Sequence, residues 1–205
     1  MSLSRSTRRF VTRAAIPLTA VTLLVAAAGC SSDVITAPDS AFVRRDALVT
    51  PAVATGLLRT KPLLTRQTAS ATIGPGGGTL SLPEAGLRVV VPMGALSTPT
   101  KLSVTANPGV IVAYTFQPHG TVFNAPLVLT QDLTNTAWVG SFWYQPPLKA
   151  GYFADESQLT ATTTRLYVNE VLPVTTDIRT TPTATFNVYH FSGYIIATGV
   201  RGGGT

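Results

Sequence analysis

The chain has 205 residues, with 15 Lys+Arg against 9 Asp+Glu, 17 glycines, 15 prolines and a single cysteine. That length fits one domain of ordinary size, and one cysteine excludes both a disulfide framework and a cysteine-cluster metal site. The net charge of +6 invites a nucleic-acid reading, but from residue 70 onward six Lys+Arg meet six Asp+Glu, so no basic cluster is left to grip phosphates.

The chain opens with Arg5, Arg8, Arg9 and Arg13, followed by an apolar run from Ala14 to Gly29. That run is short for a bilayer span and has the build of an export signal, which is set aside from fold reasoning. It closes as Val25-Ala26-Ala27-Ala28-Gly29-Cys30, small residues directly before the one cysteine. This resembles a bacterial lipobox. The resemblance implies a signal peptide over 1–29, acylation of Cys30, and anchorage of the protein to the lipid bilayer of a bacterial envelope. Ser31 in place of Asp implies the outer membrane in a diderm cell. An ordinary signal peptide that leaves Cys30 as a free thiol is the alternative. Without the four signal arginines, eleven cations face nine acids, a net charge of +2. Ser, Thr, Ala and Pro dominate 31–69, with neither a helical period nor a clean alternation. Residues 30–69 therefore read as a lipidated N-terminus and tether, with a short helix over 50–66 packed on the domain edge as the other option.

From residue 70 short strands recur between turn residues, the spacing of an antiparallel β-sandwich. The centre is Ala71 to Leu96, read as strand, glycine loop, strand, tight turn, strand. Leu80 and Leu82 alternate with Thr79 and Ser81, and Leu87 to Val91 runs back as a β-branched strand. Pro92 ends that strand, and Gly94 is expected at positive φ so that Ala95-Leu96 folds inward. Leu102, Val104 and Ala106 mark the next strand, and Val112, Tyr114 and Phe116 share a face of another. Gln117-Pro118-His119-Gly120 reads as a turn with Pro118 at its second position. Leu127 with Leu129, Trp138–Tyr144, Gly151–Ala154, Arg165–Val171, Thr183–His190 and Tyr194–Thr198 complete one all-β sandwich over 70–200, with a frayed tail at 201–205.

Three of these motifs together resemble the ZU-five domain, the β-sandwich of zonula occludens proteins, netrin receptors and ankyrins. They are Gly77-Gly78, Pro92-Met93-Gly94-Ala95-Leu96, and Phe116-Gln117-Pro118-His119-Gly120 leading to Phe123 and Pro126. The resemblance covers roughly 70 to 200 and implies a protein-contact role, inherited by analogy of fold alone. Some similar domains cut themselves between the Phe and Ser of a His-Phe-Ser triplet, which here is His190-Phe191-Ser192. Ser192 would attack the preceding carbonyl and His190 would serve as general base. The other reading makes His190 a satisfied inward-facing histidine after Phe186 and Val188.

Conventional catalysis finds no support in the sequence. Gly74-Pro75-Gly76-Gly77-Gly78 precedes a strand, where a phosphate loop needs a helix start. The acids from 70 onward are scattered, and the two histidines stand far apart, so neither a metal site, a cofactor nor a catalytic carboxylate pair is expected. Phe142, Trp143, Tyr144, Tyr152 and Phe153 could form a sugar-stacking platform, or pack in the core. The expectation is a non-enzymatic, lipid-anchored sandwich that presents a surface to an envelope protein or glycan. A self-cleaving domain and a carbohydrate-binding module are its alternatives.

Overall fold

The computed structural model describes residues 51–139 and 147–202. Fifteen strands run through them: β1 (Ala52–Gly56), β2 (Leu58–Leu63), β3 (Gln67–Ile73), β4 (Gly78–Leu82), β5 (Leu87–Val91), β6 (Thr100–Ala106), β7 (Gly109–Ile111) and β8 (Ala113–Gln117), then β9 (Val122–Asp132), β10 (Lys149–Phe153), β11 (Arg165–Val168), β12 (Glu170–Pro173), β13 (Thr175–Asp177), β14 (Thr183–His190) and β15 (Gly193–Arg201). Single 3-10 turns at Pro83–Ala85 and Glu156–Gln158 are the helical content among the described residues. None of these is long and apolar enough to cross a membrane.

The strands form an all-β sandwich of antiparallel sheets. One sheet runs β13-β14-β9-β5-β4, the other β11-β1-β15-β8-β6-β3 with β10 and β12 attached through β15, and β2 pairs with β7 in a small ribbon. Period-two alternation decides which side chains go inward. Leu80 and Leu82 of β4 are buried while Thr79 and Ser81 are exposed, and Leu87, Val89 and Val91 of β5 point the same way. They meet Leu102, Val104, Tyr114 and Phe116 from the facing sheet in the main core.

The stretch from Ala71 to Leu96 folds as its sequence pattern suggests. The amide of Gly77 closes a turn on the Gly74 carbonyl (3.0 Å), and the amide of Gly94 reaches the Pro75 carbonyl (2.8 Å). The glycine loop and the Pro-Met-Gly turn therefore interlock. Both glycines have positive φ, +77° and +80°, and a Cβ at Gly77 would lie 2.5 Å from the Val91 carbonyl oxygen. Ala95 and Leu96 then fold into the core.

The larger sheet curls back on itself. β15 pairs with β10 along one edge and with β8 and then β1 along the other. β10 pairs with β12 and β1 with β11, and only Asn169 separates β11 from β12. The ring so closed holds a second apolar core of Ala54, Phe153, Leu166, Val168, Ile195 and Ala197. Small residues permit the tight closure: a Cβ at Gly193 would lie 2.2 Å from the Phe153 ring.

This curl corrects the expected domain boundary. Residues 51–69 are not tether but β1, β2 and the start of β3, and the helix considered for 50–66 is strand instead. β1 lies between β11 and β15, with Ala54 and Leu57 fully buried. A boundary at 70 cuts through β3. Ala-Val-Ala-Thr-Gly carries little hydrophobic contrast, so its burial comes from the neighbours it pairs with. The rest of the expected tether, Cys30 and the signal segment lie outside the described residues. So do Gly203 to Thr205 of the expected tail, although Arg201 is still within β15.

Candidate functional site

Three connections converge beside the second core: the β8–β9 loop, the Phe191-Ser192 link between β14 and β15, and the 3-10 turn after β10. The β8–β9 turn closes from the Thr121 amide to the Pro118 carbonyl (3.4 Å), with Gly120 at φ +73°. It therefore spans 118–121 and starts at Pro118, one residue later than the sequence pattern placed it. The Thr121 hydroxyl also donates to the Pro118 carbonyl, at 2.9 Å. This short loop carries His119 toward the β14–β15 link.

Phe191 anchors that link. Its ring is fully buried against Phe116 (4.9 Å between centroids) and Phe123 (4.8 Å, edge to face). Its amide donates to the Thr121 carbonyl (2.8 Å), and its carbonyl accepts the Gly120 amide (3.0 Å). Next to it Ser192 is only 3% exposed. The Ser192 hydroxyl lies 3.4 Å from His119 Nδ1 and 3.4 Å from the Phe153 carbonyl oxygen.

His119 is held from its far side. Its Nε2 lies 2.6 Å from Glu156 Oε1, and both side chains are 39% exposed. An Nε2–H donated to the carboxylate leaves the Nδ1 lone pair facing Ser192. Gln117 braces the pair: its Oε1 accepts the His119 amide (3.1 Å), and its Nε2 approaches Glu156 Oε1 (3.5 Å). Asp155 caps the turn that carries Glu156 by accepting the Ser157 amide at 2.9 Å. Hydrogen bonding from the Ser157 side chain, then from its amide, holds the Asp155 carboxyl below its usual range.

His190 occupies a different place from the one assigned to it as general base. Its Nδ1 lies 3.3 Å from the Tyr194 hydroxyl, which donates to the His190 carbonyl at 2.8 Å. The Tyr152 ring meets it edge to face at 4.9 Å. The register of β14 on β9 slips between Val188 and His190, and the ring sits with these two tyrosines. The histidine at the Ser192 hydroxyl is His119. Sequence spacing could not reveal this, because 73 residues separate the two partners. The signal lay in the Gln-Pro-His-Gly segment, read as a turn and as part of the ZU-five-like pattern but not as chemistry. Burial, with smaller contributions from Glu170 and Tyr152, pushes the Tyr194 phenol well above its ordinary range.

The aromatic platform does not form from its described members. Phe153 is fully buried, and Tyr152 is half-buried against His190 and Tyr194. Phe142, Trp143 and Tyr144 lie outside the described residues. No group of three or more His, Cys, Asp or Glu that could hold a metal occurs among the described residues.

A second polar cluster, from a segment read as tether, sits inside the sandwich. The Arg59 guanidinium donates to the Ile111 carbonyl and to the Tyr114 hydroxyl (3.2 Å). That hydroxyl reaches Gln131 Oε1 and the Ala85 carbonyl (2.9 Å). Burial raises the Tyr114 phenol above its ordinary range, while Arg59 and Gln131 oppose the rise. This network ties the β2–β7 ribbon to both sheets.

The fold and site together define an antiparallel β-sandwich with a serine, a histidine and a glutamate in line beside a buried interstrand peptide. No family model matches the chain, and no curated protein matches it.

Proposed function

We propose that this protein is a lipid-anchored envelope β-sandwich that acts once on itself, cutting the peptide bond between Phe191 and Ser192. The observation that carries the reading is His119, with Nδ1 at 3.4 Å from the Ser192 hydroxyl and Nε2 at 2.6 Å from Glu156. His119 takes the hydroxyl proton as Ser192 Oγ attacks the Phe191 carbonyl carbon. The Phe191 oxygen gains negative charge where the Gly120 amide already donates to it. The C–N bond then breaks, and His119 returns the proton to the Ser192 nitrogen. An ester now links Phe191 to Oγ. Water hydrolyses it, giving a Phe191 carboxylate and restoring the Ser192 hydroxyl and a free amine. Partial exposure of His119 and Glu156 gives water a route to that ester. A resting contact of 3.4 Å is compatible with this role, since such bonds tighten as the reaction proceeds. The lipobox-like residues ending at Cys30 support the anchored setting, and the ZU-five-like motifs support the self-cutting step.

Denaturing mass spectrometry of purified protein tests the reading. The expected result is slow appearance of the Ser192–Thr205 peptide without added protease, abolished by Ser192→Ala and slowed by His119→Ala. His190→Ala is expected to leave the rate within a few-fold, since His190 does not touch the hydroxyl. A wild-type mass that stays intact on long incubation near neutral pH overturns self-cleavage and leaves the non-enzymatic interaction module.

A further inference from the structure

We infer that the outer face of β11-β1-β15 is a docking surface for an anionic bilayer, through Arg165, Arg201 and Tyr167; the inference rests on the lipid-anchor reading above. The face follows from register. Val53 of β1 stands between Arg201 of β15 and Tyr167 of β11, and Thr55 between Gly199 and Arg165. Ala52 and Ala54 point into the second core, so alternation sends Val53 and Thr55 outward. The result is a shallow groove with an arginine on each of its outer strands. It continues past Arg165 into a second groove that Tyr167 and Thr164 line.

Charge selects the partner. No acidic side chain lines either groove, and neither arginine is in an ion pair among the described residues. Tyr167 is 60% exposed, an aromatic with a polar tip of the kind that settles at headgroup level. Two guanidinium groups with an amphipathic ring between hydroxyl-bearing and aliphatic side chains match phosphate-bearing headgroups.

Chain connectivity selects the bilayer over a soluble anion. Pro51 leads directly into β1 and follows Cys30 by 21 residues. In any conformation that length reaches at most roughly 70 Å, so an acylated Cys30 holds Pro51, where this face begins, within that distance of the membrane. Docking is then intramolecular, at an effective concentration on the order of millimolar. Under that condition weak contacts suffice. Each arginine near an anionic surface contributes about a five-fold bias, and the pair about thirty-fold.

The test uses the full-length protein purified from membranes and placed in phosphatidylcholine vesicles with or without phosphatidylglycerol. A fluorophore on Thr164→Cys, the free thiol once Cys30 is acylated, reports contact through quenching by labelled lipids. Quenching is expected in the anionic vesicles and not in the neutral ones. Arg165→Gln with Arg201→Gln should lower the docked-to-undocked ratio about thirty-fold. Arg179→Gln, at an exposed arginine beside Asp177, should leave it unchanged. A mass without acyl chains at Cys30 overturns the anchor reading and the docking with it. An acylated protein with equal quenching in both vesicles, or a double variant that docks like the wild type, overturns the docking alone. Loss of quenching when inorganic phosphate replaces chloride at constant ionic strength would identify a soluble-anion site and overturn the bilayer as occupant.

Discussion

Single residues carry two kinds of demand in this molecule, conformational and chemical. Gly94 illustrates the first. Its φ is +80°, and a Cβ there would meet nothing within 4 Å. The cost of a side chain is therefore backbone strain alone, and Gly94→Val should destabilise by about 1–3 kcal/mol. Chemical denaturation measures this, with Gly94→Asn expected to cost less because Asn tolerates the left-handed region. An unchanged midpoint for the Val variant would remove the interlocked turns from the list of stabilising features. The proposed Ser192–His119–Glu156 relay would carry the second demand. Glu156→Gln keeps a side chain of similar shape but removes the negative charge that fixes the His119 tautomer. Cleavage should slow by at least about ten-fold, a conservative share of the usual worth of general-base catalysis. The fold should keep its unfolding midpoint, because Glu156 is partly exposed at the start of the 3-10 turn after β10.

Among the elements, β15 and β1 matter most. β15 pairs with β10 on one side and with β8 and β1 on the other, and it contributes to both cores. A cut at Ser192 would therefore release no strand under native conditions. The Ser192–Thr205 peptide is expected to co-elute with the rest in native size exclusion and to separate only in denaturant. Separation in buffer would show that β15 contributes less than its pairing implies. β1 decides where the domain starts. A chain beginning at Ser70 lacks Ala54 and Leu57 from the cores and the buried Arg59 from its network. It should show no cooperative thermal transition by circular dichroism, whereas a chain beginning at Pro51 should melt in one step. A sharp transition for the shorter chain would return β1 and β2 to the tether.

For the whole molecule the two sheets, the ribbon and the closed ring share one requirement, that Tyr114 and Tyr194 stay neutral. Burial raises both phenols, and for Tyr194 Glu170 and Tyr152 act in the same direction. A pKa raised on folding leaves stability unaffected below the unfolded value near 10, where both states keep the proton. Above it the unfolded chain loses protons that the folded chain retains, so stability falls as pH rises. Unfolding midpoints from pH 8 to 12 should drop above about pH 10. Tyr194→Phe should make that drop shallower. A flat profile would mean that these hydroxyls reach solvent.

Sequence by itself determined the β-rich architecture, the turn at Gly94 and the alternation of β4, β5 and β6, because each rests on local chemistry. Proline and glycine restrict φ, and period-two burial is written in neighbouring residues. The resemblance to ZU-five-like domains that cut themselves also pointed to the Phe191-Ser192 link. Tertiary structure alone decided what surrounds that link. His119 and Glu156 stand 37 residues apart, and only the tertiary fold brings the histidine to the Ser192 hydroxyl and the glutamate to the far side of its ring. The curl of the larger sheet takes Ala52 to Gly56, small residues with little pattern of their own, into the middle of a sheet. Their place depends on pairing with β11 and β15, strands more than a hundred residues downstream, and nonlocal pairing of that kind leaves no mark in the local alternation of apolar residues.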